Sequence, residues 1–141
     1  MKGLPALIRL HTWQLDGKRR ELADLERVED GFHAEVRKLE DDMVVEQAYA
    51  KDSESGVFAY GGFAAGVIAR RKRLAQSIVE IRVRIEANRE EVAEAYQELK
   101  RYEVTQANRL KREKLEQERL DQASLDEVSL MQYQRRADGK V

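Results

Sequence analysis

Cysteine is absent from this 141-residue chain, and proline occurs once, at Pro5. The first absence removes disulfides, thiolate nucleophiles and cysteine-based zinc or iron-sulfur sites, and it suits a reducing compartment such as the cytoplasm. The second leaves nothing to force a helix apart beyond its first turn, where a missing amide hydrogen is tolerated. Aromatic residues make up only 6% of the chain and hydrophobic ones 42%, against 38% charged. That is too little apolar volume for a thick globular core but enough for a two-helix seam. No run approaches the roughly 18 apolar residues of a membrane span, and Arg9 and His11 interrupt the start where a secretory signal would be apolar, so direct membrane insertion is not expected. An excess of one charge is missing too. The 26 basic and 27 acidic side chains leave a formal net charge of -1, which offers no general attraction to nucleic acid or an anionic membrane.

What is present is periodicity. Positions 4, 8, 11, 15, 18, 22, 25, 29, 32, 36, 39 and 43 carry Leu4, Ile8, His11, Leu15, Lys18, Leu22, Leu25, Glu29, Phe32, Val36, Leu39 and Met43, nine of the twelve apolar. A spacing that averages 3.5 residues keeps one narrow seam turned toward a partner helix, as a left-handed coiled coil requires. The pattern returns from residue 74 to residue 102. Between the two stretches, Ser53, Ser55, Gly56, Gly61, Gly62 and Gly66 combine turn chemistry with low helix propensity. The expected fold is therefore all-α: a long two-helix antiparallel coiled coil, or helical hairpin, forming a single elongated domain with a C-terminal helix overhang. Its parts are a first helix over residues 1–53, a bend at 54–62, a second helix over 63–136 and a short tail at 137–141.

With the bend near residue 57, facing positions sum to about 114. Leu15 then meets Leu99, Leu22 meets Val92, Glu29 meets Ile85 and Val36 meets Ile78, with Asn88, Glu29, Lys18 and His11 as polar seam members that fix register at some cost in stability. Leu4 meets Leu110, so residues 111–136 project beyond the paired region by ~38 Å if helical. That overhang is rich in charge, with Arg109 and Glu113, Arg112 and Glu116, and Lys114 and Glu118 each four apart and placed for intrahelical pairs. Leu110, Leu115, Leu120, Leu125, Val128 and Met131 add a thin apolar track that a groove or pore would cover. Around the bend, Tyr49, Val57, Phe58, Tyr60, Phe63 and Val67 are too many for the seam, so several belong on the surface as caps or as a docking patch. The basic run Arg70, Arg71, Lys72 and Arg73 reads as a solvated face.

Catalytic patterns are not found. The glycines at 61–66 lack phosphate-loop spacing and follow no strand. Ser53, Ser55, Ser77, Ser124 and Ser129 have no histidine within helical reach to act as base. His11 and His33 lie about 33 Å apart on one helix and cannot share a metal. Asp41 and Asp42 point to different sides. An enzyme is not expected, nor any cofactor, metal or nucleic-acid partner.

Several segments resemble the flagellar type III export protein FliJ family: Leu7-Ile8-Arg9-Leu10 followed by Lys18-Arg19-Arg20-Glu21-Leu22, Tyr60-x-x-Phe63, Ala95-Tyr96-x-x-Leu99-Lys100-x-x-Glu103, and Leu125-Asp126-Glu127 near Arg135-Arg136. The resemblance spans almost the whole chain. It implies a soluble, non-enzymatic, central-stalk-like protein of the export apparatus, cytoplasmic and peripheral to the inner membrane at the flagellar base. The end bearing both termini would enter and stimulate the hexameric export ATPase ring, FliI, and the bend would contact the export gate protein FlhA; whether export chaperones are further partners stays open. Carried onto this chain, the ring-side residues are Arg9, Lys18, Arg19, Lys111, Arg112, Lys114, Leu115 and Leu120. Those toward the gate are Val45, Tyr49, Phe63 and Val67. The related injectisome stalk proteins share this plan. Two other classes stay open: a scaffold that dimerises through residues 110–131, and a chaperone-like binder of unfolded chains that uses the exposed aromatics.

Overall fold

The computed structural model describes residues 2–52 and 54–139. Ser53, expected in the bend, and Lys140 and Val141, expected in the tail, lie outside the described residues. Two helices account for nearly all of the rest: α1 spans Leu4–Ala50 and α2 spans Glu54–Asp138, 47 and 85 residues respectively. They pack against each other. Pro5 sits in the first turn of α1, where Leu7 donates its amide hydrogen to the Gly3 carbonyl at 2.9 Å. At the other end, Gly139 donates to the Arg135 carbonyl and closes α2.

The chain reverses earlier than expected. Lys51 and Asp52 form the turn, with the Asp52 amide 3.2 Å from the Tyr49 carbonyl, and residues 54–62, expected as the bend, are the first turns of α2. No described glycine has a positive φ. The propensity cost of Gly56, Gly61 and Gly62, about 1 kcal/mol each in a helix interior, is offset because the same turns carry Tyr60, Phe63 and Val67 into the packed face. Propensity is a weak prior where packing opposes it.

The chain divides into two compact units. The first combines Met1–His11 with Gln97–Val141, and the second is Thr12–Tyr96. In the second unit, Leu25, Ile81 and Ile85 form a buried cluster against which Leu22 and Phe32 pack. Every seam position from 15 to 43 is buried or half-buried, and on α2 the protected positions include 60, 63, 67, 74, 78, 81, 85, 88, 92 and 95, largely in steps of three and four, with 56, 64 and 77 half-buried beside them. Val36 and Ile78 line one groove, as expected. Glu29, expected opposite Ile85, reaches Arg82 instead. The ion pairs that cross this unit, Lys18 with Glu91, Glu26 with Arg89, Glu29 with Arg82, Glu35 with Arg70 and Glu40 with Arg71, join positions whose numbers add to between 105 and 115. A turn centred near 52 rather than 57 pulls the register that way.

In the first unit, Leu4 and Leu99 are buried, and the rings of His11 and Tyr102 stack with centroids 4.7 Å apart. Leu4 and Leu110 line a groove together with Pro5, Gln106, Arg109 and Glu113. Residues 111–139 are exposed throughout. The seam's own steps explain this, since beyond Arg109 they fall on Glu113, Glu116, Leu120, Ala123 and Glu127, too polar to hold a second helix.

Candidate functional site

Most of the residues singled out by sequence fall into two groups, one in each unit. In the unit that holds both termini, Arg9, Lys111, Arg112, Lys114, Leu115 and Leu120 are all exposed. Arg109 Nε lies 3.3 Å from Glu113 Oε1, as the four-residue spacing predicts, and Arg112 joins Leu4, Thr105 and Glu113 along a second groove. Glu116 pairs with Arg119 at 2.8 Å rather than with Arg112. The Arg119 hydrogen bond holds the Glu116 carboxyl below its usual range and raises the guanidinium in return. Lys111, Arg112 and Lys114 have no ion pair among the described residues, so three cations stand next to Leu115 on a stretch of helix that nothing covers.

The apolar track along this segment is not a single stripe. Leu110, Leu115, Leu120 and Leu125 are five apart, and each step turns about 140° around a helix of 3.6 residues per turn. The side chains therefore wind around α2. Leu120, Val128 and Met131, eight and eleven apart, do share a face, whereas Leu115 lies on another. An encircling partner suits this distribution better than a groove on one side.

Lys18 and Arg19, the other ring-side residues, belong to the Thr12–Tyr96 unit. Arg19 is exposed. Lys18 Nζ is 3.0 Å from Glu91 Oε2, and that hydrogen bond raises the ammonium above its ordinary range, so this charge is already engaged across the helix pair.

The gate-side set separates. Val45 and Tyr49 are exposed on α1, but Phe63 is half-buried and Val67 is only 4% accessible. Val67 is therefore a packing residue and not a surface one, because α2 is already helical at 54 and the steps 60, 63, 67 and 74 carry it into the seam. Tyr60 also turns inward, with its hydroxyl 4.0 Å from Met43 Sδ, and caps that end of the packed face. Phe58 does the opposite and is 90% exposed. The apolar surface beside the turn is thus Val44, Val45, Tyr49, Val57 and Phe58. Of the adjacent basic run, Arg70 and Arg71 pair with Glu35 and Glu40 at 3.0 and 3.3 Å, while Lys72 and Arg73 have no ion pair among the described residues.

Among the described residues, no three His, Cys, Asp or Glu side chains converge as a metal site would require, and no helix is long and apolar enough to cross a membrane. A family model described as flagellar FliJ protein matches residues 1–138. No curated protein and no solved structure matches the chain.

Proposed function

The chain belongs to the flagellar FliJ family, whose members are components of the flagellar protein-export apparatus, and from that premise we propose that it is a non-enzymatic stalk that binds and stimulates the export ATPase ring, FliI, and links it to the export gate protein FlhA. The observation that carries the ring-side half is the exposed stretch over residues 111–139, where cations at 111, 112 and 114 with no ion pair among the described residues accompany leucines that wind around the helix. Apolar side chains on every side can meet a surrounding ring, and exposed charges make many weak contacts without locking one rotational state. The gate-side half is supported by Val45 and Tyr49, which with Phe58 offer aromatic and aliphatic surface beside the turn. The three-four spacing of buried positions within Thr12–Tyr96 supports the finer reading of the fold, an antiparallel coiled coil. The site of action is the cytoplasmic face of the inner membrane at the flagellar base.

The test is ATP hydrolysis by the export ATPase of the same cell, with and without the protein and with a Leu115→Glu, Leu120→Glu variant. Stimulation that disappears in the variant supports the reading. Equal rates in all three reactions would contradict it.

A further inference from the structure

A helix packed on one side ordinarily turns charge toward water on the other. The start of α2 does not. Opposite its packed residues Tyr60, Phe63 and Val67, the outward positions are Glu54, Phe58, Gly62, Ala65, Ala69 and Arg73, in steps of three and four, and all six are exposed. From residue 57 to residue 69 the helix has no charged side chain at all. The face is uncharged in the middle, acidic at its first turn and basic at Lys72 and Arg73.

That order is complementary to itself. If a second copy lies antiparallel on the face, Glu54 of each chain meets Arg73 of the other, Phe58 meets Ala69, and Gly62 meets Ala65. The bulkiest side chain falls opposite a small one, and the acid-base contact between Glu54 and Arg73 occurs twice through the two-fold axis. Neither Glu54, Lys72 nor Arg73 has an ion pair among the described residues. A lipid surface fits less well, because an anionic bilayer that attracted Lys72 and Arg73 would repel Glu54 at the other end of the same face.

We propose that this face is a self-association surface, through which two copies of the chain pair antiparallel along residues 54–73. The contact is about five and a half turns long, below the area of a permanent dimer, so the pairing is weak and reversible. It also covers Phe58, so a copy paired in this way withholds part of the apolar surface beside the turn. The inference does not depend on the export reading.

Sedimentation velocity of the full chain over a concentration series tests it. Three variants are needed: Phe58→Glu, Glu54→Lys, and Lys72→Glu with Arg73→Glu. All four positions are exposed, so helicity by circular dichroism should be unchanged. The wild type should show a concentration-dependent dimer, and each variant should associate about tenfold more weakly or not at all. Mixing the Glu54→Lys variant with the Lys72→Glu, Arg73→Glu variant should restore dimers, because opposite charges again meet across the axis. A wild type that is monomeric throughout, or a mixture no more associated than its components, would overturn the proposal. So would a dimer that survives Phe58→Glu but is lost in Leu115→Glu, Leu120→Glu, since its interface would then lie in residues 110–131.

Discussion

Arg82 of α2 donates its Nε hydrogen to Glu29 Oε2 of α1 at 2.7 Å, and His33 Nε2 lies 3.4 Å from the same oxygen. The Arg82 hydrogen bond is the main reason the Glu29 carboxyl titrates below its ordinary range, with a smaller contribution from His33. A carboxylate whose value is depressed by folding stabilises the fold above its unfolded value, about 4.3 for glutamate, and that contribution is lost as pH falls through the depressed folded value. Glu29→Gln should therefore melt below the wild type at pH 7, and the gap should close as the pH is taken below the unfolded carboxyl's value of about 4.3. Thermal melts followed by circular dichroism measure this. A gap that stays constant across the whole range would mean that the pair contributes nothing linked to protonation.

Asn88 is 4% exposed on the packed face of α2, and its side-chain oxygen has no hydrogen-bond partner among the described residues. A buried carbonyl left unmatched costs about 1 to 3 kcal/mol. Asn88→Leu should therefore raise the unfolding free energy by that order, seen as a higher midpoint of chemical denaturation. A lower midpoint would mean that the amide is paired in solution, and that its value lies in more than register.

Gly17 and Gly31 lie inside α1, and a Cβ added at either meets no atom within 4 Å. Neither has a positive φ that a side chain would strain. Replacing each by alanine should stabilise the protein by about 0.5 to 1 kcal/mol through the unfolded chain's lost freedom and the better helix propensity. Urea titration of the double variant measures the sum. An unchanged or lower midpoint would show that a contact absent from this structure needs the bare backbone.

The surface beside the turn separates packing from docking. Val45→Glu with Tyr49→Glu should leave the melting temperature within a few degrees and weaken binding to the FlhA cytoplasmic domain, measured by calorimetry. Val67→Glu should instead lower stability by several kcal/mol, because it places a charge in the packed face. If the first variant binds FlhA as the wild type does, the gate contact lies elsewhere.

The packing seam was legible in the residues because a period of 3.5 repeats over many turns, and even its polar members, Lys18, Glu29 and Asn88, occupy protected positions. Local propensity misled at the turn. Six serines and glycines between 53 and 66 outnumber any turn signal at Lys51 and Asp52, but the helix that begins at Glu54 gains the packing of Tyr60, Phe63 and Val67, and no residue-by-residue scale counts that gain. The misassigned surface role of Val67 followed from the same error, since a bend at 54–62 frees position 67 while a helix at 54 commits it. Reading the leucines at 110, 115, 120 and 125 as one track failed for a different reason: a spacing of five is not a helical repeat. The exposed face from Glu54 to Arg73 needed the structure, because only a helix through the glycines aligns its two ends.

The central claim is that residues 111–139 form the segment that meets the ATPase ring. It is tested most directly by placing a photo-activated cross-linking amino acid at position 115, 120 or 45 of the full chain and irradiating cells that are exporting flagellar protein. The account predicts adducts with the export ATPase from positions 115 and 120 and none with it from position 45, where adducts with the gate protein should form. ATPase adducts from position 45 alone, with 115 and 120 bare in cells that still export, would contradict it.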